Sequence, residues 1–118
     1  MDLKEIMQYD RFVVVGDTLN EEKYAYKIKN ELIDSNYKVY CVGKELESLN
    51  DIEGEIDIID LCINPLAGLK LLKENKKAFK CMVIQPGAGS DEIREFLDEN
   101  GYCYIDGCLL VGIRLYSK

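Results

Sequence analysis

Gln85-Pro86-Gly87-Ala88-Gly89 closes a short apolar run, Cys81–Ile84, and leads into a helix-start signal at Ser90-Asp91-Glu92. A polar amide at the end of a buried strand, followed by a fixed turn and a glycine, is poorly explained by packing alone. Its side chain could serve loop backbone groups or a ligand, and both readings stand. Gly16 holds the equivalent place after Phe12–Val15. Backbone N–H groups and a helix N-terminus favour an anion there, with Lys23 and Lys27 the nearest cations. The loop is not GxGxxG, and Asp17, Glu21 and Glu22 add negative charge, which disfavours a tight dinucleotide grip. Gly16 could equally serve only to turn the chain. Asn64-Pro65 follows a third apolar run; Asn is a preferred helix cap and Pro suits the first helical position, yet Asn64 also faces the same crevice.

Acid–base and nucleophilic chemistry is poorly provided for. The chain has no histidine, no nucleophile-elbow or P-loop pattern, and no recognisable pair of catalytic carboxylates. Catalytic residues are therefore assigned to none. Cys108 follows Asp106-Gly107 at a turn and could be a reactive thiol, but only Arg114 or a helix N-terminus is at hand to activate it. A structural or cofactor-adjacent cysteine is the plainer reading. The five cysteines, Cys41, Cys62, Cys81, Cys103 and Cys108, form no CxxC pair, so no metal site is expected. Four lie in apolar strand-like runs, where cysteine behaves as a small hydrophobe, and reduced thiols are expected.

The elements that must position these residues alternate along the chain. A short amphipathic helix over 2–9 precedes strands at 12–15, 37–42, 56–63, 81–84 and 102–105. A helix to about Asn36 buries Ala25, Ile28, Leu32 and Ile33. A second helix, after Asn64-Pro65, presents Leu66, Leu69, Leu71 and Leu72. A third uses Ile93, Phe96 and Leu97 and ends at a left-handed Gly101. Residues 45–55 are acidic and irregular, pinned by Leu46, Leu49 and Ile52, and the apolar tail from Gly107 packs back onto the domain. This grammar predicts a single α/β Rossmann-like domain over 1–118, doubly wound around a mainly parallel five-stranded sheet. The expected strand order is 3-2-1-4-5, with ligands at the carboxyl edge.

At 118 residues the chain is long enough for one core and short for two. A net charge of −7 argues against nucleic acid as a partner. Lys70, Lys73, Lys76, Lys77 and Lys80 form a local cluster that could attract phosphate but reads more simply as a solvated helix face. The apolar runs are too short to span a bilayer and the N-terminus lacks an apolar signal core, so no membrane and a cytoplasmic location are expected.

Taken in order, Val13-Val-Val-Gly-Asp-Thr18, Asn36–Val42, Asp57–Pro65, Val83–Gly89 and Gly107–Val111 resemble the CoA-binding domain family, small Rossmann-like proteins related to the CoA-binding domain of succinyl-CoA ligase α-subunits. The resemblance covers about residues 10–116. It implies a nucleotide-type site for CoA or an acyl-CoA, whose phosphate-bearing part enters the first loop at Gly16, Asp17, Thr18, Lys23 and Tyr26. The rest of that site maps to Val42, Gly43 and Lys44, to Ile63, Asn64 and Pro65, and to Gln85, Gly87 and Cys108. The chain differs from the family's pattern in Asp17-Thr18, in Ala25 where a Ser is common, in Gly43-Lys44 where Asn-Pro is common, and in lacking an Arg near Asn64. The expected function is non-catalytic, regulatory or carrier-type binding of CoA or acyl-CoA. Two alternatives stay open: an NAD(P)- or nucleotide-dependent enzyme or enzyme subunit, and a degenerate fold kept as a protein-interaction or thiol-redox module. A protein partner or a homo-oligomer also stays open.

Overall fold

The computed structural model describes all 118 residues. Five strands, β1 (Arg11–Gly16), β2 (Lys38–Gly43), β3 (Ile58–Cys62), β4 (Cys81–Ile84) and β5 (Tyr104–Asp106), form one sheet in which every neighbouring pair is parallel. Five helices accompany them: α1 (Leu3–Ile6), α2 (Tyr24–Asp34), α3 (Pro65–Glu74), α4 (Asp91–Glu99) and α5 (Leu109–Tyr116). A single 3₁₀ turn at Leu49–Asp51 stands between β2 and β3, held by a Ser48 capping box. The α/β Rossmann-like architecture expected from the sequence is what the chain adopts.

The strand order differs from the expected one. It is β2-β1-β3-β4-β5, so β3 lies inside the sheet beside β1, and β2 is an edge. Burial explains the exchange. Ile58, Ile59 and Leu61 of β3 are fully covered, which demands strands on both sides and helices on both faces. Lys38 of β2 is exposed while Val39 and Tyr40 are only half-buried, as befits an edge. Had β3 been the edge, its apolar run would have lain open to water.

Alternate residues of the interior strands feed two apolar layers. Phe12, Val14, Ile58, Cys81 and Val83 meet Ile6 and Met7 beside α1, Ala25, Ile28 and Leu32 of α2, and Leu109, Leu110 and Ile113 of α5. On the other face Val13, Val15, Ile59, Leu61, Met82 and Ile84 meet Leu49, Ile52, Leu72, Ile93 and Leu97. Two expected core positions fall outside: Ile33 is exposed on α2, and Leu66 is 85% exposed in the first turn of α3. Helix termini follow the local chemistry. Asn64 Oδ1 accepts from the Ala67 N–H at 3.0 Å, with Pro65 next to it. Ser90 Oγ accepts from the Ile93 N–H, and Gly101 takes φ +71° after α4. The tail folds as α5, its Gly112 allowing α1 close approach, with Leu3 and Met7 atoms 3.3 and 3.5 Å from where a Cβ would stand.

Candidate binding cleft

A parallel sheet leaves a crevice at its carboxyl edge where neighbouring strands send their connections to opposite faces; for the order 2-1-3-4-5 that point lies between β1 and β3. A cleft of about 390 Å³ opens there, within the range of small-molecule sites. It is lined by Asp17 after β1, Lys23 and Tyr24 at the start of α2, Cys62, Ile63 and Asn64 at the end of β3, and Gln85–Ala88 after β4. A second concavity, of about 380 Å³, lies at the amino edge between Gly54–Asp57 and Lys77–Lys80. There the Lys77 ammonium is already committed to the Ile52 and Gly54 carbonyls, which makes it a structural clasp.

Gly16 shapes the cleft by what it omits. A Cβ on it would stand 2.3 Å from the Cys62 carbonyl oxygen and 3.0 Å from the Ala25 Cβ. Its neighbour across the β1–β2 ladder is Gly43, whose Cβ would come within 2.7 Å of the Gly16 carbonyl oxygen. The paired glycines bring β2, β1 and β3 into close register at their carboxyl ends and let α2 approach the end of β1.

Polar groups around this edge divide into committed and free. Thr18 is fully buried and its hydroxyl donates to Glu45 at 2.5 Å. Lys29 donates to the same carboxylate oxygen at 2.9 Å. The Thr18 hydrogen bond, helped by Lys29, holds the Glu45 carboxyl below its ordinary range. Thr18 thus clamps the first loop to the segment after β2. Asp17 accepts from the Leu19 N–H at 3.2 Å, and Asn64 is spent on its cap. Gln85, 4% exposed, accepts from the Leu109 N–H at 2.6 Å and donates to Cys108 Sγ at 3.5 Å, tying the β4 turn to the start of α5. Lys23 is the one cation lining the cleft. It occupies the N-cap of α2 without a side-chain cap bond, and the Ala25 N–H of the first turn is directed to the Cys62 thiol.

The sequence-selected residues are therefore distributed as follows. Asp17, Lys23, Ile63, Asn64, Gln85 and Gly87 line the cleft, Gly16 adjoins it and Pro65 begins the helix behind it. Cys108 is half-buried at the N-cap of α5, in contact with Gln85. Thr18 points its hydroxyl to Glu45, and Tyr26 is half-buried on α2 outside the cleft lining. Val42 and Gly43 end the edge strand β2 and Lys44 follows it, a strand away from the opening. Tyr24, Cys62, Pro86 and Ala88 also line the cleft, although the sequence assigns Pro86 and Ala88 only to a turn, Cys62 only to a strand and Tyr24 only to a helix. Cys62 had a usable signal, because the β1–β3 register pairs it with Gly16.

Beneath the cleft lies a group the sequence reading did not weigh. Asp60 of β3 is fully buried, and neither carboxylate oxygen has a hydrogen-bond partner. Burial pushes its carboxyl well above the ordinary value. Burial, then the Asp60 and Cys108 charges, push the Cys62 thiol up to about 12. Burial likewise raises Cys81 to about 12 and Cys41 to about 11. At pH 8 such thiols are ionised to roughly one part in a thousand to one in ten thousand, and the thiolate is the reactive form. In a timed alkylation of the native protein, Cys103 and Cys108 should therefore be labelled well before Cys41, Cys62 and Cys81. Early labelling of Cys62 or Cys81 in the peptide map would contradict the burial described here.

Comparison with known proteins agrees with this geometry. No curated protein matches the chain. Among solved structures, a conserved hypothetical protein from Pyrococcus furiosus is 30% identical, with 87% of this chain and 98% of that one covered and a TM-score of 0.77. A hypothetical protein from Pyrococcus horikoshii is 22% identical over 98% of this chain and 89% of that one, with a TM-score of 0.85. A protein from Thermus thermophilus is 19% identical over 97% and 98% of the two chains, with a TM-score of 0.78. The latter two establish a shared fold. No helix is long and apolar enough to cross a membrane. A family model described as a CoA binding domain matches residues 10–114, and the chain, nearly all of which that match spans, belongs to the CoA-binding domain family.

Proposed function

We propose that this chain is a single-domain, cytoplasmic protein that binds CoA or an acyl-CoA in the carboxyl-edge cleft without transforming it, in a regulatory or carrier role. The observation that carries the reading is the pairing of Lys23 with the uncapped N-terminus of α2, directly above the glycine-shaped end of β1. A cation and a helix N-terminus without a side-chain cap, beside a wall without a Cβ, form a seat for a phosphate. The donor set fits a pyrophosphate-bearing ligand at that end of the cleft. Ile63, Pro86, Gly87 and Ala88 offer the opposite wall, of low polarity, to a pantetheine-like arm.

The remaining residues support binding over turnover. The cleft thiol, Cys62, is held protonated far above neutral pH. Gln85 has both ends of its amide engaged, and no histidine exists to move a proton. Gln85 then acts by fixing the β4 turn and the start of α5, and Asn64 by fixing α3, so both shape the cleft through backbone placement.

A ligand bound only by the folded state stabilises it by RT ln(1 + [L]/Kd), about 1.4 kcal/mol at a tenfold excess over Kd. CoA is expected to raise the melting midpoint, and NAD to raise it less, since the loop lacks the glycines that let a dinucleotide approach. Lys23→Ala should reduce the CoA shift while leaving the unliganded midpoint within about 0.5 kcal/mol of wild type, as an exposed substitution does. Millimolar CoA that leaves the melt unchanged, or NAD that matches CoA, would overturn the proposal.

A further inference from the structure

The geometry points to a reversible intramolecular disulfide between Cys81 and Cys103, a redox-modification site away from the cleft. Met82 of β4 pairs with Tyr104 of β5, so Cys81 and Cys103 are the preceding partners of the same parallel ladder, and the Met82 N–H donates to the Cys103 carbonyl at 3.0 Å. Both side chains turn to the face covered by α1, α2 and α5. Their sulfurs are 2.6 Å apart, far closer than either approaches any other polar atom. The other nearby cysteines are otherwise engaged: Cys108 lies against Gln85, and Cys62 lines the cleft.

The pair is also asymmetric in the way such chemistry requires. Cys81 is fully buried within its strand, whereas Cys103 is half-buried at the entrance to the three-residue edge strand β5. Cys103 is the attacking thiol and Cys81 the resolving one. With a small-molecule disulfide as oxidant, the Cys103 thiolate attacks one of its sulfurs, forms a mixed disulfide and releases one small thiolate, which takes up a proton. Cys81 then gives up its proton and attacks the Cys103 sulfur, expelling the second small thiol. Two protein thiols are oxidised to one disulfide, and one small disulfide is reduced to two thiols. The new bond spans 22 residues of sequence and encloses α4. It fastens the short edge strand just upstream of the turn through which Gln85 anchors α5.

The test is a thiol titration of the full chain equilibrated in glutathione disulfide and glutathione mixtures, acid-quenched and alkylated in denaturant. Titratable thiols should fall from five to three as the disulfide fraction rises, and return to five with excess dithiol. Trypsin cleaves after Lys80 and Arg94, which places Cys81 on peptide 81–94 and Cys103, with Cys108, on peptide 95–114. The two peptides should be recovered linked from the wild type and from Cys108→Ser, and unlinked from Cys103→Ser and Cys103→Ala. Because a crosslink restricts the unfolded chain, oxidised wild type should melt about 5 °C or more above reduced, a difference absent in both Cys103 variants. Five thiols persisting in glutathione disulfide alone would overturn the inference. So would glutathione retained on Cys103, or a linkage that survives Cys103→Ala.

Discussion

Gly16→Ala is expected to cost about 3 kcal/mol of folding stability, the upper end of what an added methyl costs in a close-packed interior. The added Cβ would sit 2.3 Å from the Cys62 carbonyl oxygen, a backbone atom of the central strand that cannot rotate away. Relief requires β1 to part from β3, or α2 to lift, since the Ala25 Cβ closes the other side at 3.0 Å. Either movement deforms the phosphate seat as well, so the CoA-induced shift should disappear along with the stability. Gly107→Ala is the matched control. Nothing lies within 4 Å of its added Cβ, and the change should stay within about 0.5 kcal/mol of wild type. Urea denaturation of the two variants checks the difference. A Gly16→Ala midpoint indistinguishable from that of Gly107→Ala would mean that the strands do not approach as described. From sequence, a turn glycine and a ligand-cradling glycine read as alternatives. The register Gly16↔Gly43 and Gly16↔Cys62 makes them one requirement, a narrow gap between three backbones at the point where a ligand enters.

How much of this was legible in the chain depends on how local the determining physics is. Asn64-Pro65, Ser90 and Gly101 act within one turn of their own backbone, and each occupies the helix-end position its chemistry demands. The four longer strands fall close to the expected spans for the same reason: runs of β-branched and aliphatic residues bounded by Gly, Asn or Gln. Strand order is set by distant contacts, and both 3-2-1-4-5 and 2-1-3-4-5 satisfy right-handed connection rules. The discriminating signal lay in the contrast between Lys38-Val-Tyr40, mixed in polarity, and Ile58–Leu61, apolar apart from one carboxylate. Weighing edge against interior would have resolved the order and placed the crevice between β1 and β3. Side-chain commitments were the least legible. Thr18 looked like a ligand hydroxyl, but its partner Glu45 stands 27 residues away on another connection. Gln85 reads from sequence as either a ligand amide or a backbone tie; it lines the cleft, and the partners that take up its amide lie 23 and 24 residues on.

Asp60→Val is expected to stabilise the protein by about 1 to 3 kcal/mol at neutral pH, the range for removing a buried polar group that has no partner. Both Asp60 oxygens lack hydrogen bonds, and the flanking ladder residues are Val14 and Val83, so a β-branched apolar side chain suits the position. The sign of the pH dependence follows from the direction of the shift. Burial raises the folded-state pKa above the ordinary value of 3.8, so the folded chain holds the proton more tightly than the unfolded chain. Stability linked to that proton is fully present below the unfolded pKa and is lost as pH rises through the folded one. Glu45 works in the opposite sense: its lowered pKa contributes stability above the unfolded value that is lost on acidification. Wild type should therefore lose stability towards alkaline pH through Asp60 and towards acid pH through Glu45. Asp60→Val should remove the alkaline loss alone. Asp60→Asn, neutral at every pH but still unpartnered, should remove the same slope while recovering less stability. Urea midpoints for the three proteins at pH 5, 7 and 9 separate these outcomes. A valine variant less stable than wild type at all three would show that the carboxyl has a partner worth keeping.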